Sequence, residues 1–475
     1  MNASLPQKRL FSNTAIRGRV FQSVSANDNV PFTPYTLQRI VEIWSDFCKE
    51  EVETKEMLLG GDTRTSTPMF KASATSGILT RGLTCVDTGI VPTPAINWGC
   101  KTTKRPGMMI TGSHTPANMN GIKLIHSNGF EIDWWSGEQN IEEKFFSEQD
   151  SPSIDPLDCR EIIQEEIMNL YLSYLSDQLK SDLKGMKVVI DVGNGAMTEY
   201  IPNFVREHGG DLITLNNVRD GHFPGRGPEP LLPESIEVLA NSVRSNKADF
   251  GVAFDGDGDR AIFVDEQGTL VWGDKSLVLL ASRNLTQGQK FVTPVSTASS
   301  LVTVASERYG FEVLWTAVGA AYVARQQADS NALVGGEQNG GIIWLDGVPA
   351  RDGGRTFIEV LNLVKSEGVL SDIVVDALPP CIIEKTKIFL DPPLIHKKTA
   401  IEHAVREKFD DYQQVTLDGT RIFGGEGSQQ WSSLIRFSTT ENNVLRVFTD
   451  GTEEQLVSKI HQEIITKTKN ILKSV

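Results

Sequence analysis

The strongest constraint on this chain is a short acidic segment that lies between two apolar segments. Asp255-Gly-Asp-Gly-Asp-Arg260 places three carboxylates at alternate positions, and its glycines allow a tight turn of the backbone. Residues 250–254 and 261–264 have the composition of buried β-strands. Three neighbouring carboxylates repel one another unless a cation joins them, and all-oxygen ligands suit a hard ion. The pattern therefore predicts a Mg²⁺ site on a strand–loop–strand unit, with Arg260 able to hold a phosphate beside the metal.

Two other interpretations apply to the same acidic segment. One is an ordinary acidic turn on a solvated surface. The other is an EF-hand loop, because Glu266 would stand at its last ligand position. The EF-hand requires glycine where this chain has Arg260, and it requires flanking helices rather than strands. The strand–loop–strand metal site is the better interpretation.

Length and charge limit the class of protein. A chain of 475 residues is too long for one hydrophobic core, so about three or four domains are expected. The formal net charge of −15 argues against nucleic acid and against an anionic membrane as partners. No apolar run would span a bilayer, the first ten residues lack a signal-peptide core, and the five cysteines show no CxxC spacing. We expect reduced thiols and a cytoplasmic location.

The alternation of strand and helix signals predicts the fold class. Residues 186–254 follow a β-α-β-α-β order, and similar α/β blocks precede and follow them. The pattern changes near residue 383, where strands surround fewer helices. We predict an α/β protein of four domains, at residues 1–159, 160–269, 270–382 and 383–475. The first three share a mixed α/β architecture, and the last is a smaller α+β domain.

A polar loop after a short predicted strand carries the second chemical signal. In Thr111-Gly-Ser-His-Thr-Pro116, Ser113 is a candidate nucleophile, although the loop is not a GxSxG elbow. His114 is either a base or an ordinary loop histidine. Lys123 either neutralises an anion or is exposed, and Arg17 taken alone would be a solvated surface residue.

Two later regions place polar side chains among glycines or hydroxyls. Glu337 and Asn339 lie in a glycine-rich stretch that is either a ligand contact or a plain turn, and Arg351-Asp-Gly-Gly354 follows it. Residues 436–441 offer one guanidinium and three hydroxyls, which suit a phosphate. The alternative is that Arg436 is structural and pairs with an acid such as Glu441.

Taken in order, these motifs resemble those of the α-D-phosphohexomutase superfamily, which includes phosphomannomutase/phosphoglucomutase and phosphoglucosamine mutase. The likeness covers nearly the whole chain: residues 111–116 resemble its TASHNP phosphoserine loop, 255–260 its DGDGDR metal loop, 337–340 its sugar loop and 436–441 its RPSGTE loop. Residues 15–18 and 61–64 match its GIRG and GxDTR stretches. The chain departs from the family at four positions, where it has Thr115, Asn339, Gly341 and Thr439. The last three bear on recognition of the sugar or of the distant phosphate.

The resemblance implies a phosphohexomutase that interconverts hexose 1-phosphate and hexose 6-phosphate within a central cleft. A phosphoserine enzyme and a hexose 1,6-bisphosphate intermediate would carry the phosphoryl group, and Mg²⁺ would be held by Ser113, Asp255, Asp257 and Asp259. The implied catalytic residues are Ser113, His114, Lys123, Arg260 and Arg17, with His114 or Lys123 as general acid/base. The implied substrate-binding residues are Glu337, Asn339, Gly319, Arg436, Ser438, Thr439 and Thr440.

Several functions remain open within this resemblance. A mannose- or glucose-type substrate is favoured, and phosphoglucosamine mutase is the alternative. A non-catalytic sugar-phosphate sensor is disfavoured because Ser113 and the aspartates are intact. A Mg²⁺-dependent phosphatase would need neither the Glu337 loop nor a cradle for a distant phosphate. We expect a monomer or a homodimer.

Overall fold

The computed structural model describes residues 10–12, 15–21, 31–132, 141–147, 158, 160–426, 429–438 and 443–474. The chain divides into two compact units. Unit 1 comprises Met1–Val271 and Gly341–Ser371, and unit 2 comprises Trp272–Gly340 and Asp372–Val475.

Unit 1 begins with a seven-stranded mixed sheet in the order β1-β2-β6-β5-β3-β4-β7. Its strands are β1 (Phe11–Ser12), β2 (Ala15–Arg19), β3 (Glu56–Gly61), β4 (Thr84–Ile90), β5 (Gly107–Ile110), β6 (Met119–Ile125) and β7 (Ile162–Gln164). The helices of this region are α1 (Pro34–Val52), α2 (Thr67–Leu79), α3 (Thr93–Thr103), α4 (Ile141–Ser147) and α5 (Met168–Gln178). Strands β5, β3, β4 and β7 run parallel, so the loops after β3 and β5 meet at one edge of the sheet.

Helix α1 shows how the sequence specifies this layer. The Thr33 hydroxyl accepts a hydrogen bond from the backbone N–H of Thr36, which satisfies a donor in the first turn of the helix. Leu37, Ile40 and Trp44 recur at helical spacing and are fully buried. The apolar side of α1 is therefore the side that packs into the core.

The second sheet of unit 1 has five strands in the order β12-β11-β10-β8-β9. Its elements are β8 (Lys187–Asp191), α6 (Tyr200–Glu207), β9 (Asp211–Leu215), α7 (Pro233–Asn246), β10 (Phe250–Phe254), β11 (Ala261–Asp265) and β12 (Leu270–Val271). Strands β8, β9 and β10 are parallel, and β10 pairs antiparallel with β11. Since Phe254 pairs with Ala261, the acidic segment is the connection of this hairpin, as predicted.

The first part of unit 2 alternates helices with parallel strands in the order β14-β13-β15. Its elements are α8 (Gly273–Asn284), β13 (Lys290–Pro294), α9 (Ser299–Tyr309), β14 (Glu312–Thr316), α10 (Ala320–Ser330) and β15 (Val334–Gly336). The chain then adds β16 (Ile342–Trp344) and α11 (Gly353–Glu367) to unit 1, and α12 (Leu370–Ala377) follows.

The last part of unit 2 is an antiparallel sheet in the order β17-β21-β20-β19-β18. Its elements are β17 (Ile382–Phe389), α13 (Pro392–Ile395), α14 (Lys398–Lys408), β18 (Gln413–Val415), β19 (Thr420–Gly424), β20 (Trp431–Phe437), β21 (Val444–Gly451) and α15 (Glu454–Ser474). Ile401, Phe409 and Ile464 are among the apolar residues of its core. Three mixed α/β domains and a carboxy-terminal α+β domain confirm the predicted fold class; the boundaries remain predictions.

Two further expectations concern thiols and membranes. Among the residues that the structure describes, four cysteines are free; Cys48, Cys85 and Cys100 are buried, and Cys381 is half-buried. Within the described ranges, no helix combines the length and the apolar character needed to cross a bilayer.

Candidate active site

The three aspartates of the β10–β11 connection form a buried oxygen cluster. Asp255, Asp257 and Asp259 are fully buried, and each offers a carboxylate oxygen within 4.8 Å of the other two. Oδ1 of Asp257 and Oδ1 of Asp259 are buried without a hydrogen-bond donor among the described residues. Buried oxygens of this kind call for a cation, and an all-oxygen set suits a hard divalent ion. The residues therefore fit a divalent metal ion.

The shifted pKa values of two of the aspartates agree with a cluster that binds a cation. Burial raises the pKa of Asp255, and the neighbouring charges of Asp259 and Asp257 raise it further. Burial would also raise the pKa of Asp259, but Arg351 and Lys123 outweigh burial and hold that pKa below its usual range. The carboxylates repel one another and depend on nearby cations.

One of those cations comes from the same turn and another from the first sheet. Lys123 on β6 places Nζ 2.7 Å from Asp259 Oδ2 and 3.2 Å from Asp257 Oδ2. Arg260 donates through Nε to Asp255 Oδ2 at 3.0 Å. Burial lowers the pKa of Lys123, but Asp257, Asp259 and Glu131 outweigh it and raise that pKa above its usual value. Lys123 is therefore protonated in this arrangement.

Ser113 lies directly beside the cluster. Its side chain is buried, and Oγ donates to Asp255 Oδ2 at 3.0 Å. Its φ of 52° is unusual for a residue with a side chain, and its N–H donates to Thr111 Oγ1 at 2.8 Å. A Cβ atom at Gly256 would lie 2.7 Å from the Ser113 carbonyl oxygen, so only glycine permits this approach of the two loops.

The predicted acid/base candidate His114 is adjacent to the serine hydroxyl. Its Nδ1 lies 3.3 Å from Ser113 Oγ. Burial lowers the pKa of His114 to about 2, helped by the charges of Arg260, Arg17 and Arg351. Burial and the charge of Arg351 also lower the pKa of Arg17 to about 10. In this arrangement His114 is neutral, whereas Arg17 keeps its charge at neutral pH.

A fully buried arginine holds the serine loop in shape. Arg64 pairs with Asp62, its Nε lying 3.0 Å from Oδ2. Its Nη1 and Nη2 donate to backbone carbonyls over 2.6–3.0 Å, and these carbonyls belong to Ser113, Thr115, Pro116 and Met119. The sequence had matched residues 61–64 to a family motif, but it did not predict this role.

The sequence also missed other members of the network. Thr93 Oγ1 donates to Asp257 Oδ2 at 2.6 Å, and Glu229 accepts from Arg260 Nη2 at 3.2 Å. Arg351 Nη2 donates to Asp259 Oδ2 at 2.6 Å. The only sequence signal for Arg351 was its position before Asp352 and two glycines.

The predicted sugar- and phosphate-binding residues lie in unit 2. Glu337 is buried, and Asn339 Nδ2 donates to its Oε2 at 3.5 Å; Gly319 precedes α10. Arg436 Nη2 pairs with Asp418 Oδ2 at 2.8 Å. This ion pair supports the alternative in which Arg436 is a structural residue that pairs with an acid. Ser438 follows β20, whereas Thr439, Thr440 and Glu441 lie outside the described residues.

Comparison with known proteins identifies the class. Three family profiles match the chain, described as phosphoglucomutase/phosphomannomutase, alpha/beta/alpha domains I, II and III, over residues 8–152, 169–268 and 272–381. A phosphoglucomutase/phosphomannomutase from Thermococcus kodakarensis is 34% identical, over 94% of this chain and 95% of that protein. A phosphoglucosamine/phosphogalactosamine mutase from Sulfurisphaera tokodaii is 32% identical, over 96% and 98%.

A solved structure agrees at the level of the fold. The chain resembles a phosphoglucomutase/phosphomannomutase family protein from Burkholderia thailandensis with a TM-score of 0.82, 22% identity, and coverage of 99% of this chain and 98% of that one. The chain belongs to the phosphoglucomutase/phosphomannomutase family. Members of this family are phosphomutases, which are intramolecular phosphotransferases, as the sequence motifs predicted.

We predict that Arg64→Lys disturbs the serine loop and lowers activity more than Arg81→Lys does. Lysine can keep the charge next to Asp62 but cannot reach the four carbonyls. The free energy of unfolding should fall by about 1.5–3 kcal/mol, because charged hydrogen bonds to carbonyls are lost, and kcat/KM should fall by about 100-fold. Arg81→Lys is the control, because Arg81 is also buried but pairs with Glu42 and Asp46. Equal losses of activity in both variants would contradict this role of Arg64.

We predict that Asp257→Asn weakens binding of a divalent cation by about 10-fold or more, because one of three charged ligands is lost. Isothermal titration with Mg²⁺ measures this directly. Asp265→Asn is the control, because Asp265 ends β11 outside the oxygen cluster and accepts hydrogen bonds from backbone N–H groups. Unchanged Mg²⁺ affinity in Asp257→Asn, or full activity after exhaustive chelation, would rule the cluster out as the metal site.

Proposed function

We propose that the protein interconverts hexose 1-phosphate and hexose 6-phosphate through a phosphoserine at Ser113 and a hexose 1,6-bisphosphate. The observation that carries this proposal is the position of Ser113 Oγ, 3.0 Å from Asp255 and buried beside the oxygen cluster. Phosphoryl transfer depends on alignment and on neutralisation of charge more than on covalent assistance. Lys123, Arg260 and Arg17 supply positive charge at this place.

In the proposed transfer, one phosphorus–oxygen bond replaces another, and the step is reversible. The bond between Ser113 Oγ and phosphorus breaks, a bond from phosphorus to the free sugar hydroxyl forms, and the hydroxyl proton ends on Ser113 Oγ. The bisphosphate then returns its other phosphoryl group to Ser113. Mg²⁺ would be held by Asp255, Asp257, Asp259 and the serine phosphate, where it would neutralise charge on the phosphoryl oxygens.

Lys123 and His114 have different roles in the proposed transfer. Lys123 is held protonated by carboxylates, and its proton affinity falls when Asp257 and Asp259 are neutralised. Such a group suits the general acid/base of the transfer. His114 binds protons too weakly for that role in this arrangement, and it suits a hydrogen bond to Ser113 Oγ or to the phosphoryl group.

The residues that would bind the sugar ring and the phosphate that is not transferred are proposed from their chemistry and from the likeness to the family. Glu337 and Asn339 would bind ring hydroxyls, helped by the backbone at Gly319. Arg436, Ser438, Thr439 and Thr440 would bind the phosphate that is not being transferred. A mannose- or glucose-type substrate is favoured. Glucosamine phosphate is the second candidate, because many of the similar relatives are named phosphoglucosamine mutases.

We predict that the purified enzyme isomerises at least one of mannose 1-phosphate, glucose 1-phosphate and glucosamine 1-phosphate in coupled assays. Ser113→Ala should fold with an unchanged melting temperature and lose nearly all turnover, because no other hydroxyl replaces its Oγ. Near-wild-type turnover in Ser113→Ala would exclude the covalent mechanism. The ratio of kcat/KM values for the three sugars decides between the two candidate substrates.

We predict that Arg436→Ala and Asp418→Asn behave differently, although each breaks the same ion pair. Loss of a phosphate-binding arginine should raise KM for the hexose phosphate by about 10- to 100-fold, corresponding to roughly 1.5–3 kcal/mol. Asp418→Asn keeps the guanidinium, so KM should stay the same or fall. If both variants lose stability alike and neither changes KM, Arg436 has only a structural role.

A further inference from the structure

Arg351 is a cation of the aspartate cluster to which the proposed function gives no role. It lies between β16 and α11, where it forms an antiparallel bridge with Ile343. Its side chain is only 13% exposed, and its Nη2 lies 2.6 Å from Asp259 Oδ2. The long arginine side chain can change partners without any change of the backbone.

The backbone around Arg351 is fixed against the metal loop. The Asp352 N–H donates to the Ile342 carbonyl at 2.9 Å, and the Asp352 carboxylate accepts from the Arg355 N–H at 2.8 Å and from the Tyr171 hydroxyl. A Cβ atom at Gly353 would lie 2.7 Å from the Gly258 carbonyl oxygen, so the two loops are in direct contact.

One oxygen serves two cations in this arrangement. Asp259 Oδ2 accepts from both Lys123 and Arg351. A divalent ion coordinated by Asp259 would place further positive charge beside both cations, and like charges in a buried site repel strongly. Lys123 also contacts Glu131, at 3.3 Å and outside the oxygen cluster, which helps to hold it in place.

The balance of charge at the cluster indicates which new partner the Arg351 guanidinium can take. A divalent ion and a serine phosphate of nearly two negative charges bring almost no net charge when they are added together. The side-chain cations Lys123, Arg260 and Arg351 are therefore still needed, but their partners change. The planar fork of an arginine matches phosphoryl oxygens in pairs, which a lysine cannot do.

We propose that Arg351 is a catalytic residue of phosphoryl transfer: its guanidinium leaves Asp259 when a divalent cation is bound and grips the phosphoryl group on Ser113. The inference rests on the proposed function of Ser113. Arg351 Nη2 lies 2.6 Å from Asp259 Oδ2, and Asp259 and Asp255 offer carboxylate oxygens within 4.8 Å of each other. Ser113 Oγ lies 3.0 Å from Asp255 Oδ2, so the guanidinium and the serine hydroxyl both border the same oxygen cluster.

This exchange of partners predicts two opposite effects of removing the charge. In Arg351→Gln without phosphate on Ser113, Asp259 loses a competing cation, so Mg²⁺ should bind about 5-fold tighter or more. Transfer of a phosphoryl group from glucose 1,6-bisphosphate to Ser113 should slow by about 10- to 100-fold, because charged hydrogen bonds to it are lost. Arg351→Lys should keep the Mg²⁺ affinity of the wild type but transfer slowly, because it keeps the charge and loses the fork.

The experiment measures Mg²⁺ affinity by isothermal titration on dephosphorylated full-length enzyme, and phosphorylation of Ser113 by rapid quench and intact mass. Arg355→Gln is the matched control, because Arg355 is a buried arginine of the same segment that pairs with Glu359 and contacts none of the three aspartates. Both readouts should stay at the wild-type level in that variant. A melting temperature for each variant shows whether it is folded, and Arg351→Lys replaces Arg351→Gln if the latter does not fold.

Three results would overturn the proposal. If Arg351→Gln changes neither the Mg²⁺ affinity nor the transfer rate, Arg351 only forms a structural ion pair. Weaker Mg²⁺ binding would mean that Arg351 supports the metal site rather than leaving it. A transfer rate restored in Arg351→Lys would show that the fork is not used. A wild-type enzyme that accepts no phosphate on Ser113 would instead refute the proposed function, and the wild-type sample shows this by itself.

Discussion

The buried repulsion among Asp255, Asp257 and Asp259 is the interaction on which the rest of unit 1 depends. Unpaired charges in a protein interior cost several kcal/mol each, so the fold must bring compensating cations to this turn. Lys123 arrives from the first sheet, Arg260 from the turn itself and Arg351 from the segment before α11. The same requirement that joins these segments also concentrates positive charge beside Ser113, which is the condition for moving a phosphoryl group.

Fixed backbone surrounds this charged cluster. Arg64 binds four carbonyls of the serine loop, and the Thr93 N–H donates to the Asp257 carbonyl at 2.9 Å, which ties α3 to the metal loop. Ser113 is held at a positive φ that it would not adopt in an unconstrained loop. The backbone therefore contributes preorganisation, while the long side chains of Lys123 and Arg351 remain the parts that can change partners.

Local patterns in the sequence predicted the parts of the site that are local in the chain. The strands around Asp255–Arg260 follow from composition over a few residues, and Ser113 follows from its motif. The contact of Arg351 with Asp259 joins residues 92 positions apart, and that of Arg260 with Glu229 spans 31. Periodicity carries no information on such pairs. The same holds for Arg436, which pairs with Asp418, 18 positions away.

The most direct test of the central claim is the location of the phosphoryl group on the enzyme. The full-length protein is incubated with Mg²⁺ and a hexose 1,6-bisphosphate, quenched, digested and analysed by mass spectrometry, and a second sample is chased with the hexose phosphate that it turns over. The account predicts one phosphoryl group, on Ser113, that disappears in the chase as bisphosphate forms. Phosphate on another residue, or turnover with no phosphate on Ser113 at any time, would contradict it.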